Sequence, residues 1–106
     1  MATVTRQTID LSSLANTVAD TEAPGCDATI CRDVIVVRSA RGSLDLIDGF
    51  HRVAGLFAGG QTVASVIVID GDLDDELAET VGRAADPSDR MDLHEAAIAA
   101  IVEMAQ

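Results

Sequence analysis

Residues 46–56 read LIDGFHRVAGL and join two patterns of different periodicity. The run before the Asp48-Gly49 pair, residues 43–47, is short and mostly apolar, which is typical of a strand. The run after it, about residues 50–58, follows helical spacing, and Gly59-Gly60 ends it as glycine commonly ends a helix. We therefore predict a strand that enters a helix through a glycine corner, with the buried face of the helix formed by Phe50, Val53, Ala54 and Phe57.

The segments on both sides of this corner alternate between strand-like and helix-like patterns. Residues 34–38 form a continuous apolar run, and the Arg41-Gly42 turn joins them to residues 43–47 as a hairpin. Residues 63–69 are the strongest strand candidate. The remaining predicted elements are a strand over 3–9, a helix over 11–18 with Asp10 as its N-cap, a loop over 20–31, an acidic helix over about 73–84, and a last helix from Ser88 or Asp89 to about Ala105.

These elements predict a small α/β (α+β) fold. The chain has 106 residues, which suits one domain over residues 1–106. A mixed sheet of about four strands should pack against three to four helices. Since aromatic residues are only 2% of the chain, its core must be aliphatic.

Composition argues against several partners. The chain has 18 acidic residues against 7 basic ones, a net charge of −11, so direct DNA binding by this chain alone is not expected. No apolar stretch is long enough to span a bilayer, and the first residues lack a signal-peptide pattern, so we expect no membrane and a cytoplasmic location. We interpret Cys26 and Cys31 as two partly buried thiols rather than a zinc site or a disulfide.

The corner at residues 48–52 suits an anion. Glycine allows close approach of a ligand, and the first amides of a helix lack internal acceptors. Arg52 could bind phosphate oxygens, His51 could donate to phosphate or transfer a proton, and Asp48 could orient His51 or help to hold Mg²⁺. The alternative is an ordinary turn, in which Asp48 caps the helix, His51 is held by Asp48, and Arg52 is a surface residue.

The same stretch resembles the signature of the ParB/sulfiredoxin-like superfamily. In that family an apolar strand ends in a Gly-x-(His/Arg)-Arg segment that opens a helix, as residues 46–56 do. Residues 34–38 resemble the preceding strand, residues 66–70 the following one, and residues 9–14 the opening step. The resemblance covers about residues 3–80 and implies a ParB/sulfiredoxin-like fold.

The resemblance also implies a nucleotide, CTP or ATP/ADP, bound with Mg²⁺. Its phosphates would lie against Gly49, Phe50, His51 and Arg52, with Asp48 in support. Residues 90–96 are similar to a later ParB segment that closes over the phosphates, which would make Arg90 a second phosphate ligand. The alternative for residues 90–96 is a capped amphipathic helix with a solvated Arg90.

The chain also departs from the family at the corner. Sulfiredoxins carry a reactive cysteine where this chain has Phe50, so their chemistry is not expected. ParB partition proteins carry Glu at Phe50 and Arg at His51, and they continue into a DNA-binding helix-turn-helix. Their nucleotide hydrolysis is therefore in doubt for this chain.

Three functional hypotheses follow. The first is a nucleotide- or phosphate-binding domain, an NTPase or phosphotransferase with His51 and Asp48 as candidate catalytic residues. The second is a non-catalytic regulatory or partner-binding module that forms a homodimer through the C-terminal helix, or alternatively packs that helix on the sheet. The third is a nuclease. The stripe of the last helix is Leu93, Ala97, Ile101 and Met104, and His94 is expected at the surface.

Overall fold

A computed structural model describes residues 2–19, 34–85 and 91–105 of the chain. Four strands form one sheet: β1 (Thr3–Asp10), β2 (Ile35–Arg38), β3 (Leu44–Asp48) and β4 (Val63–Asp70). Their order is β1-β4-β2-β3. β4 is antiparallel to β1 and parallel to β2, while β2 and β3 form an antiparallel hairpin. The predicted small mixed sheet of four strands is therefore confirmed.

Three α-helices accompany the sheet: α1 (Phe50–Ala58), α2 (Asp75–Ala85) and α3 (Met91–Met104). The bounds of α1 agree with the prediction, and its backbone leaves the helix at Gly59 and Gly60. α2 begins two residues later than expected because Asp74 caps it: the Leu77 N–H donates to Asp74 Oδ1 at 2.7 Å. The predicted caps of the last helix, Ser88 and Asp89, lie outside the described residues.

The sheet is covered on both faces, because β4 alternates its buried side chains between two apolar clusters. Val66 and Val68 belong to the cluster that includes Val53 and Ala54 of α1. Ile67 and Ile69 belong to the cluster on the α2 and α3 side. The side chains at alternate strand positions point to opposite faces, so a continuous apolar run is what a strand buried on both sides requires.

The predicted N-terminal helix over residues 11–18 is wrong. Only Ser12–Leu14 form a short 3-10 helix, and turn residues follow it. Asp10 Oδ1 accepts hydrogen bonds from the Ser12 N–H and the Ser12 hydroxyl, at 2.8 and 2.6 Å. Such local side-chain bonds compete with helix formation. Leu11, Leu14 and Val18 are still buried. Their helical spacing therefore predicted correctly which side chains are buried, but it overestimated the length of the helix.

Candidate functional site: the start of helix α1

The corner between β3 and α1 is built by Gly49. Its φ and ψ are 93° and 26°, a left-handed conformation that glycine adopts at little cost. Gly49 is the N-cap residue of α1, and its carbonyl accepts the first bond of the helix, from the Val53 N–H at 3.0 Å. The prediction of a strand that enters a helix through this glycine is confirmed, and the N-cap position belongs to Gly49 rather than to Asp48.

The start of α1 carries no negative charge of its own. Its first turn holds no acidic residue, and a glycine at the N-cap offers no side chain to the amides. The amides of Phe50, His51 and Arg52 precede the first helical bond, so they have no acceptor within the helix. In contrast, α2 begins with Asp75 and Glu76 and is capped by Asp74. At α1, no acidic side chain of the first turn and no capping side chain interacts with the positive end of the helix dipole.

The side chains at the corner differ in exposure. His51 and Arg52 are exposed, whereas Asp48 and Phe50 are half-buried and Gly49 is buried. Phe50 packs against the apolar cluster under α1, so it fixes the first turn rather than projecting into solvent. Asp48 and His51 each have an interaction partner, and one carboxylate oxygen of Asp48 is buried.

Arg52 is an exposed cation of this corner. It forms no ion pair with any residue in the described ranges. A guanidinium beside the start of a helix can donate two parallel hydrogen bonds to one oxyanion, which is bidentate binding. Arg90, the second predicted phosphate ligand, lies outside the described residues, as do Cys26 and Cys31.

The C-terminal helix is divided between core and surface. Ala97 and Ile101 are buried against the sheet, whereas Leu93 and Met104 are exposed to 36% and 50%. The packing alternative therefore accounts for the middle of the stripe, and only its two ends remain exposed.

The expectation that His94 is exposed is wrong. His94 is only 6% exposed, and its Nδ1 atom lies 3.3 Å from the Arg83 carbonyl oxygen. The position falls at helical spacing before Ala97, Ile98 and Ile101, all buried. That spacing was present in the sequence and could have indicated burial.

Two further properties bear on function. Within residues 2–19, 34–85 and 91–105, no group of three or more His, Cys, Asp or Glu side chains is arranged to hold a metal ion. Over the same residues, none of the helices has the length and apolar character that crossing a bilayer requires.

No protein-family model, curated protein or solved structure matches the chain.

Proposed function

We propose that the start of α1 binds the phosphate groups of a nucleotide. The observation that carries this proposal is the left-handed Gly49 at the N-cap of a helix whose first turn has no acidic residue. This arrangement leaves backbone donors and the positive end of the helix dipole directed at the same point, a recurrent way to bind phosphate.

The side chains supply a second contribution to the proposed site. Arg52 adds a formal positive charge without an ion-pair partner among the described residues. His51, exposed on the same turn, offers a ring nitrogen that can donate to a phosphate oxygen. In a chain with a net charge of −11, a polyanion would find few other attractive surfaces.

The resemblance to ParB/sulfiredoxin-like proteins is the reason to propose a nucleotide rather than free phosphate. It favours CTP or ATP/ADP with Mg²⁺, with Arg90 as a further ligand. For an NTPase or phosphotransferase, His51 would be the proton carrier and Asp48 the group that orients it or assists Mg²⁺. Binding comes first in this proposal, because hydrolysis requires a positioned water or acceptor in addition.

The test is a thermal-shift titration with CTP, ATP, ADP and GTP, each with Mg²⁺, and with inorganic phosphate and pyrophosphate in parallel. A ligand at about a hundred times its Kd adds about 2.7 kcal/mol of stability. Arg52→Ala should weaken binding by about 10- to 100-fold, since hydrogen bonds to charged groups contribute about 1.5–3 kcal/mol.

Arg41→Ala is the matched control. Arg41 is an exposed arginine in the β2–β3 turn, at the opposite end of β3 from Gly49. The Arg41→Ala variant should therefore bind nucleotide with the same affinity as the wild type. Equal losses in both variants would indicate a general charge effect and would contradict the site. If neither the nucleotides nor phosphate and pyrophosphate shift the melting temperature, the phosphate site is refuted and the non-catalytic partner-binding module becomes the better hypothesis. A shift with phosphate or pyrophosphate but with no nucleotide would refute the nucleotide alone.

A further inference from the structure

A groove lies on the face of the sheet opposite α1. It has a volume of about 440 Å³ and is formed where the start of β1 meets α2 and the C-terminal half of α3. We call it the acidic groove, and its lining includes Val4, Asp74, Glu76, Leu77, Ala100 and Met104. Because Val4 and Leu77 pack on the α2 and α3 cluster, the groove is separate from the corner at Gly49.

The floor of the acidic groove is apolar. Val4, Leu77 and Ala100 are half-buried, and Met104 is 50% exposed. Met104 is one of three large apolar side chains that stand exposed among the described residues. A flexible, polarisable methionine in this floor can adapt to the shape of an inserted apolar side chain.

The rim of the acidic groove is negatively charged. Asp74 uses one carboxylate oxygen to cap α2, and Glu76 is exposed and forms no ion pair with a described residue. The carboxylates of Asp74 and Glu76 repel each other. A ligand whose apolar group enters the groove therefore binds best when it also carries a cation, because the cation offsets the repulsion between the two carboxylates. The charge of the rim therefore complements Lys or Arg.

Strand β1 borders the acidic groove and has an open side. Within the described residues it pairs with β4 alone, since it is the first strand in the order β1-β4-β2-β3. Along such a strand, alternate residues direct their N–H and C=O groups away from the sheet. An extended segment can pair with these groups and place one side chain in a neighbouring pocket.

We propose that β1 and the acidic groove bind an extended segment of a partner protein, one that carries an apolar side chain next to Lys or Arg. The open strand would pair with its backbone, the floor would hold its apolar side chain, and the rim would hold its cation. A second copy of this chain fits less well, because two bodies of net charge −11 repel each other.

The test begins with a displayed library of random decapeptides selected on the wild-type protein. The strongest binder is then synthesised with a fluorescent label, and its Kd is measured by fluorescence anisotropy on four variants. Met104→Gln and Glu76→Gln alter the floor and the rim. Their matched controls are Val63→Thr, an apolar side chain 54% exposed at the other end of β4, and Asp45→Asn, an exposed carboxylate on β3 at the far edge of the sheet.

We expect selected peptides with net positive charge and at least one large apolar residue. Met104→Gln should weaken the labelled peptide about tenfold, from lost apolar burial. Glu76→Gln should weaken it up to about fivefold, as an exposed ion pair allows. The control variants should stay within about twofold of the wild type.

Three results would overturn the proposal. The first is the absence of any selected peptide, or selection of peptides without positive charge. The second is equal affinity across all four variants and the wild type. The third is self-association in analytical ultracentrifugation that Met104→Gln abolishes, because it would assign the groove to a second copy of the chain.

Discussion

Replacing Ile101 with alanine tests whether α3 is part of the core or an independent surface. The Ile101 side chain is fully buried, in one cluster with Ile35, Ile67 and Ile69 of the sheet. The substitution removes three methyl or methylene groups, at about 0.8 kcal/mol each, or about 2.4 kcal/mol of lost burial. The cavity left behind adds to this loss, so we expect the free energy of unfolding to fall by about 3 kcal/mol.

The assay is urea denaturation followed by circular dichroism, with free energies and m-values fitted for each variant. Met104→Ala is the control on the same helix, and its loss should stay at or below about 1 kcal/mol because the side chain is 50% exposed. A loss of less than about 1 kcal/mol in Ile101→Ala would refute the packing of α3 on the sheet. A second refuting result would be an Ile101→Ala variant whose oligomeric mass in solution changes while its free energy of unfolding does not, because this would place Ile101 at an interface between subunits.

Three further predictions concern backbone and charge. Gly82→Ala should stabilise the protein by about 0.5–1 kcal/mol in thermal unfolding, because nothing lies within 4 Å of the added methyl group in α2. Gly49→Ala should destabilise it by about 1–2 kcal/mol in urea, because φ is 93° there. Hydrogen bonds from the Ser12 side chain and backbone lower the pKa of Asp10, so Ser12→Ala should raise that pKa toward its ordinary value in an NMR titration. The stability that ionised Asp10 contributes is present above its unfolded-state pKa, and it is lost as the pH falls through the lowered folded-state pKa.

The elements that could be predicted from sequence are those with local signals at both ends. α1 starts at a glycine corner and stops at Gly59-Gly60, so its bounds were predicted correctly. β4 is an apolar run of β-branched residues with polar neighbours, and its bounds agree to within one residue. Glycine at the corner allowed an unusual backbone angle, and Gly49 does adopt a positive φ of 93°.

The features that could not be predicted depend on contacts between distant parts of the chain. The Arg38 guanidinium pairs with Asp70 at 2.9 Å only because the parallel register of β2 and β4 sets these residues side by side. The acidic groove likewise joins residues from β1, α2 and α3, and no local pattern brings them together. For the candidate site, the sequence identified the corner residues and correctly predicted that Phe50 lies on the buried face of α1, but it left open whether Asp48 caps the helix, a position that Gly49 holds.

The pairing of β1 with β4 has a consequence for the order of folding. Thr3 is paired with Asp70 and Asp10 with Val63, so β2, β3 and α1 all lie between the two strands in the chain. Closing such a large loop is entropically costly, and proteins dominated by distant pairings fold slowly. On the ribosome, β1 emerges before the other three strands, and β4, the strand it pairs with in the described part of the chain, is the last of the four to be synthesised. The hairpin of β2 and β3 is a local pairing that can form meanwhile, so we expect β1 to join the sheet late.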